Sequence, residues 1–212
     1  MSRVIGLKNL HYAKLTSDTK EGVEYETPAP ILSAINLDIK DNTEQVTFYS
    51  DDKVEQVINA YAGKEVTLEL GYLPNDLEAL LTGNSYNSKT GIFSQNSNAV
   101  APEIALLFAA PKSTGSERYG VLYKGVFAIE GESYATQEDK IEGQNVKLKG
   151  IFMPLVYNGK PSAKLDTDAK GTSDNTAKEN WFKKVIVEGL NDTKETFASA
   201  MKMESKEAKK EK

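Results

Sequence analysis

Polar and apolar residues alternate with a period of two through most of the well-patterned stretches, as strands with one buried face require. Glu65-Val66-Thr67-Leu68-Glu69-Leu70 alternates strictly, and Val146-Lys147-Leu148-Lys149 repeats the pattern. Residues 118–129 are rich in aromatic and β-branched side chains, with Gly120 and Gly125 marking a bulge or bend. Residues 11–16, 31–39, 45–50 and 102–109 are further strand candidates. Short strands separated by Gly, Asn, Asp and Ser predict a mainly β chain with minor α, built as a sandwich or barrel.

Helical periodicity is local. Pro74-Asn75-Asp76 opens a short helix with Leu77, Leu80 and Leu81 on one face, and Gly83 stops it. Thr176 and Glu179 have capping-box spacing, which predicts a second helix presenting Trp181, Phe182, Val185 and Ile186 and ending at Gly189. Val54, Val57, Ile58 and Tyr61 are also helically spaced, over a segment short enough to be an ordered loop. Residues 158–175 read as a long surface connection. Residues 1–190 form the expected domain, and residues 191–212 a charged, flexible C-terminal extension.

Composition narrows the classes. With 39 % hydrophobic and 27 % charged residues, the 212-residue chain suits one packed domain with an appendage. There is no cysteine, which removes disulfides, thiolate nucleophiles and Cys-ligated metals together. The net charge of −5 argues against a generic nucleic-acid binder, which shows a basic stripe. The N-terminus carries no apolar h-region, so secretion by a signal peptide is not expected, and no stretch is long and apolar enough to suggest a membrane span.

Candidate chemistry weighs light. His11 is the single histidine and lies in a strand pattern without a nucleophile motif, so a structural role outweighs catalysis. Asp166, Asp168 and Gly171 resemble the start of an EF-hand loop, but Lys170 and Ala177 stand where ligands belong. Neither common phosphate cradle occurs, and Gly159-Lys160-Pro161-Ser162 lacks the glycine spacing. Asp51-Asp52 before Lys53 is more often a turn than a carboxylate pair for acid–base work. Tyr119, Tyr123 and Phe127, with Trp181 and Phe182, offer the aromatics of a sugar groove, but the first three are even-spaced, so one strand face can bury all three, which favours a core or a subunit interface. No catalytic, cofactor or metal site is expected.

Several segments in order resemble the major tail proteins of long-tailed, non-contractile bacteriophages (the siphovirus type), common among phages of Gram-positive hosts. These are Ile5-Gly6-Leu7-Lys8-Asn9-Leu10-His11-Tyr12-Ala13, Tyr25-Glu26-Thr27-Pro28, Tyr49-Ser50-Asp51-Asp52 and Leu68-Glu69-Leu70-Gly71-Tyr72-Leu73-Pro74. Ala101-Pro102-Glu103-Ile104-Ala105-Leu106, then residues 118–125 and Trp181-Phe182-Lys183-Lys184-Val185, complete the set. Together they cover most of residues 4–187.

The resemblance implies a tail-tube fold, a β-sandwich flanked by a helix, whose six-fold rings join their sheets into an inner barrel and stack into the conduit for DNA ejection. It implies no catalytic residues and no cofactors. The implied partners are further copies of the chain, the tape-measure protein, and the tail-initiator (distal tail) and terminator proteins. Genome DNA passes without specific binding, and no membrane is involved. The implied location is the virion tail, with assembly in the host cytoplasm. Asp51, Asp52 and Lys53 are the candidate inter-subunit loop, and segments 40–63 and 158–175 are expected to order against neighbours. A bore should not brake DNA, so Glu65 and Glu69 are expected to lie nearer the lumen than Lys147 and Lys149. The rival reading is a carbohydrate- or receptor-binding β-sandwich adsorption protein, which would stay monomeric and bind glycans.

Overall fold

The computed structural model describes residues 2–50, 53–131, 145–169 and 176–190. Strands account for 53 % of the chain and helices for 8 %, so the fold is mainly β with minor α, as the alternation predicts. The strands are β1 (Lys8–Asp18), β2 (Val23–Tyr25), β3 (Ala29–Pro30), β4 (Ala34–Ser50), β5 (Lys53–Leu70), β6 (Ser85–Asn87), β7 (Ile92–Ser94), β8 (Ile104–Pro111), β9 (Glu117–Ile129), β10 (Val146–Met153) and β11 (Ser162–Asp166). Two short helices, α1 (Asn75–Thr82) and α2 (Thr176–Asn180), complete them. The main sheet runs β2-β1-β8-β9-β10-β5-β4, with β3 added to β1 and β11 to β9, and every pair is antiparallel.

This sheet is curled. The Ile31 amide donates to Leu10 O on β1, and two residues later Ser33 O accepts from the Gly71 amide just beyond β5. In a flat sheet β1 and β5, four strand spacings apart, would be roughly 19 Å distant, whereas two residues span at most about 7 Å. The two ends of the sheet therefore nearly meet at residues 31–33. Ser33 turns that corner with φ 63°, and Asn9 opposite has φ 52°, a left-handed backbone uncommon for residues other than glycine.

Curling creates an inner core. Val66, Leu68 and Leu70 of β5, Leu148 and Phe152 of β10, and Ile104, Leu106 and Phe108 of β8 fill it, closed by Leu73 and Leu81. Alternate residues of β8 (Ala105, Leu107 and Ala109) enter a second core on the other face, under Leu155, Trp181, Val185 and Val187. Strand β8 is buried on both faces, which is why it reads as an unbroken apolar run. Three glycines let aromatic rings lie flat on the inner face: Phe108 on Gly120, Phe152 on Gly125 and Phe127 on Gly150.

Tyr119, Tyr123 and Phe127 are all buried, but not on one face. Leu106 pairs with Leu122 and Ile104 with Gly125, so β9 carries one extra residue between them. Tyr119 and Tyr123 consequently enter the outer core, and Phe127 the inner one.

Helix α1 follows its sequence signals, with Pro74 at the N-cap and Gly83 ending it at φ 74°. The second helix is shorter than its pattern predicts. It stops at Asn180; Trp181 to Lys183 form a turn, and Val185 to Val187 lie outside any helix, strand or turn. Val185 and Val187 are buried while Ile186 is only half-buried, a two-residue alternation that suits β-branched residues lying on the outer core. Of the expected connection 158–175, residues 170–175 lie outside the described residues, and the rest departs from expectation because β11 pairs with β9 from Ser162↔Leu122 to Asp166↔Arg118. The C-terminal extension, residues 191–212, lies outside the described residues.

Candidate assembly interface

The register of β4 and β5 builds the most prominent feature. Strand β10 pairs with β5 only between Lys64 and Leu70, whereas β4 pairs with β5 from Ala34↔Leu70 out to Ser50↔Lys53. Past Lys64 the two strands pair only with each other among the described residues, so residues 41–50 and 53–63 form a two-stranded arm roughly 30 Å long. Asp41 and Lys64 form an ion pair at its base. Gly63 takes φ 121° there, and a Cβ on it would come 2.8 Å from the Phe152 carbonyl oxygen. Phe48, Val57 and Tyr61 on the arm are 48 %, 45 % and 41 % exposed. An isolated two-stranded ribbon is marginal in water, so such an arm gains most from docking on something else.

This corrects the expectation for Val54, Val57, Ile58 and Tyr61, whose helical spacing sits in a strand. Their β-branched and aromatic character, with Thr43↔Tyr61 and Thr47↔Val57 facing across the ribbon, outweighs the spacing. Of the candidate inter-subunit loop, Lys53 is exposed at the first position of β5. Asp51 and Asp52 lie outside the described residues.

Strand β4 also ends the sheet. Among the described residues no strand pairs with its far side, a 17-residue edge that is unusually long to leave open, since unpaired edge groups recruit further strands.

Glu65 and Glu69 lie on the outward face of β5, opposite Val66, Leu68 and Leu70. Lys147 and Lys149 lie on that same face, because Lys147 pairs with Glu69 and Lys149 with Thr67. The sequence-based contrast between an acidic face and a basic one therefore dissolves: both belong to one surface. Lys40 stands opposite Glu65, Asp38 opposite Thr67, and Lys149 Nζ is 2.6 Å from Glu130. Four carboxylates thus meet three ammonium groups, and the patch is close to neutral.

His11 stacks on Phe182 with ring centroids 4.7 Å apart, and its Nδ1 lies 3.0 Å from Asn9 O. Asp166 and Asp168 face inward to a cation of the protein itself, the buried ammonium of Lys112. Arg118 adds two parallel hydrogen bonds to Asp166, at 2.7 and 2.8 Å, and this guanidinium holds its carboxyl down at about 2. Ser2 and Ser116 donate to Asp168, so the cluster clips the N-terminal segment and the β8–β9 turn to the end of β11.

Sequence reasoning missed that clip, and missed Asp18. Its carboxylate accepts from the Val156 and Tyr157 amides and from Lys124 Nζ at 3.0 Å, tying β1 to the segment after β10. These partners lie 106 to 139 residues from Asp18, beyond the reach of any local pattern. Burial pushes the Tyr123 phenol up to about 12, and its hydroxyl donates to Ile186 O beneath the outer core. Among the described residues no group of three or more His, Cys, Asp or Glu is placed to hold a metal. Comparison with protein-family models and with curated proteins finds no match for this chain.

Proposed function

We propose that this chain is the tube-forming subunit of a non-contractile phage tail, a structural protein that works by assembling copies of itself into stacked rings. The observation that carries this reading is β4: a 17-residue edge strand, with no partner on one side among the described residues, whose outer half leaves the body as a self-paired arm. Both features are liabilities in a solitary protein and joints in an assembly. Lateral pairing of β4 with a neighbour would extend the sheet around a ring, and the arm would reach along the axis. Heterologous contacts of this kind close into rings in one direction and remain open in the other. The segments that resemble phage tail proteins add the specific identity, with the tape-measure, initiator and terminator proteins as partners.

The Glu65–Lys149 face is the proposed bore wall. Its interleaved charges present no uncompensated basic stripe, so passing phosphates would release few counterions and meet little retention. The test is negative-stain microscopy of the purified protein after prolonged concentration. Hollow tubes of uniform diameter support the reading. Monomers that bind glycans on an array would replace it with an adsorption protein.

A further inference from the structure

Between β10 and β11 the chain passes through a turn at residues 155–160. Its start is anchored: Leu155 is buried in the outer core, and the Val156 and Tyr157 amides donate to Asp18. Its tip is Asn158-Gly159, the single Asn-Gly pair in the sequence. Gly159 takes a left-handed φ of 68°, and a Cβ on it would meet nothing within 4 Å, so the tip faces open space.

Asn158 ties this tip to the segment laid over the outer core. Its Oδ1 accepts from the Lys160 amide at 3.0 Å, and its Nδ2 donates to Glu188 O at 3.4 Å. Lys160 Nζ pairs with the Glu188 carboxylate, next to the buried Val187. The Gly159 amide donates to Leu155 O at 2.9 Å.

The same groups are the reactants of an intramolecular cyclisation. The Gly159 nitrogen loses its proton to solvent base and bonds to Asn158 Cγ. A five-membered imide closes as the Cγ–Nδ2 bond breaks and ammonia leaves. A following residue without a side chain hinders this ring least. Water then opens the imide: attack at Cγ gives aspartate, and attack at the main-chain carbonyl carbon gives isoaspartate, whose chain runs through Cβ and Cγ. One water is taken up and one ammonia released, with no change of oxidation state. In the folded turn both reactants are held, Gly159 N–H by Leu155 O and the Asn158 amide by Lys160 and Glu188, so ring closure waits on local opening.

We propose that Asn158 is a self-modification site, restrained while residues 187–190 are seated, and that its conversion loosens that segment. Either product replaces the Nδ2 donor by a carboxylate oxygen, which leaves the Glu188 carbonyl facing an acceptor and competes with Glu188 for Lys160. The assignment is independent of the tube reading.

The test follows the unmutated protein in mildly alkaline buffer, folded and in urea, with peptides quantified by mass and the two products separated by chromatography. In urea Asn158 is expected to convert ahead of every other asparagine, and in the folded protein roughly tenfold or more slowly. Val187→Ala, which weakens the seat in the outer core, should speed conversion in the folded protein and leave the rate in urea unchanged. Asn158→Asp should raise amide exchange at residues 187–190 while β8 keeps its protection. An intact Asn158 in urea, or another asparagine converting first, overturns the site. Equal rates in folded and unfolded protein, or no effect of Val187→Ala, overturn the restraint. Unchanged exchange at 187–190 in Asn158→Asp overturns the loosening.

Discussion

At the residue scale the sheet is tuned by small side chains under large ones and by carboxylates under cations. Gly150 lies beneath the Phe127 ring, and a Cβ there would come 2.7 Å from it. Gly150→Ala therefore displaces an aromatic that packs edge-on against Phe152, with centroids 5.6 Å apart. Overpacking of this kind costs about 1–3 kcal/mol, and a drop in the denaturant midpoint of that size is the expected outcome. Asp166 is expected to set an acid limb. Its folded carboxyl titrates at about 2, below the ordinary value of 3.8, so the stability it contributes is complete above pH 4 or so and is lost as pH falls towards 2. Asp166→Asn should lower stability at neutral pH and flatten that acid limb; unfolding midpoints measured across this window check both.

At the element scale the arm is separable from the body. Strand β5 carries two environments, a body half from Lys64 to Leu70 packed on the inner core and an outer half paired only with β4. Replacing residues 43–62 by Asn-Gly, a pair suited to a two-residue hairpin turn between the partners Asn42 and Gly63, should leave thermal unfolding within a few degrees of the parent and abolish polymer in sedimentation velocity. Strand β5's body half was legible in the sequence because one buried face imposes alternation on 65–70, and α1 because proline, glycine and three leucines agree. The outer half of β5 was not, because a ribbon with no core to face needs no alternation. The Trp181 segment misled for a related reason: its apolar residues meet a sheet already formed by β1, β8 and β9, and that surface dictates their spacing. The placement of Glu65 beside Lys147 and Lys149 was hidden as well, since both segments alternate and only the pairing Lys147↔Glu69 shows that their polar sides coincide.

At the scale of the whole molecule the sheet is almost a closed barrel. It shuts at the corner of residues 31–33 and stays open along β4. Among the described residues, the open edge and the exposed arm are the surfaces through which the proposed lateral and axial contacts would form. Tube assembly as proposed depends on that edge being completed by neighbours. Amide exchange along residues 34–50, compared between dilute and concentrated protein, tests it most directly, because half of the β4 amides already bond to β5 and the rest point outwards. Strong new protection of the outward amides on concentration, together with visible tubes, is the predicted result. Identical exchange in both samples, with a monomer in sedimentation, would contradict it.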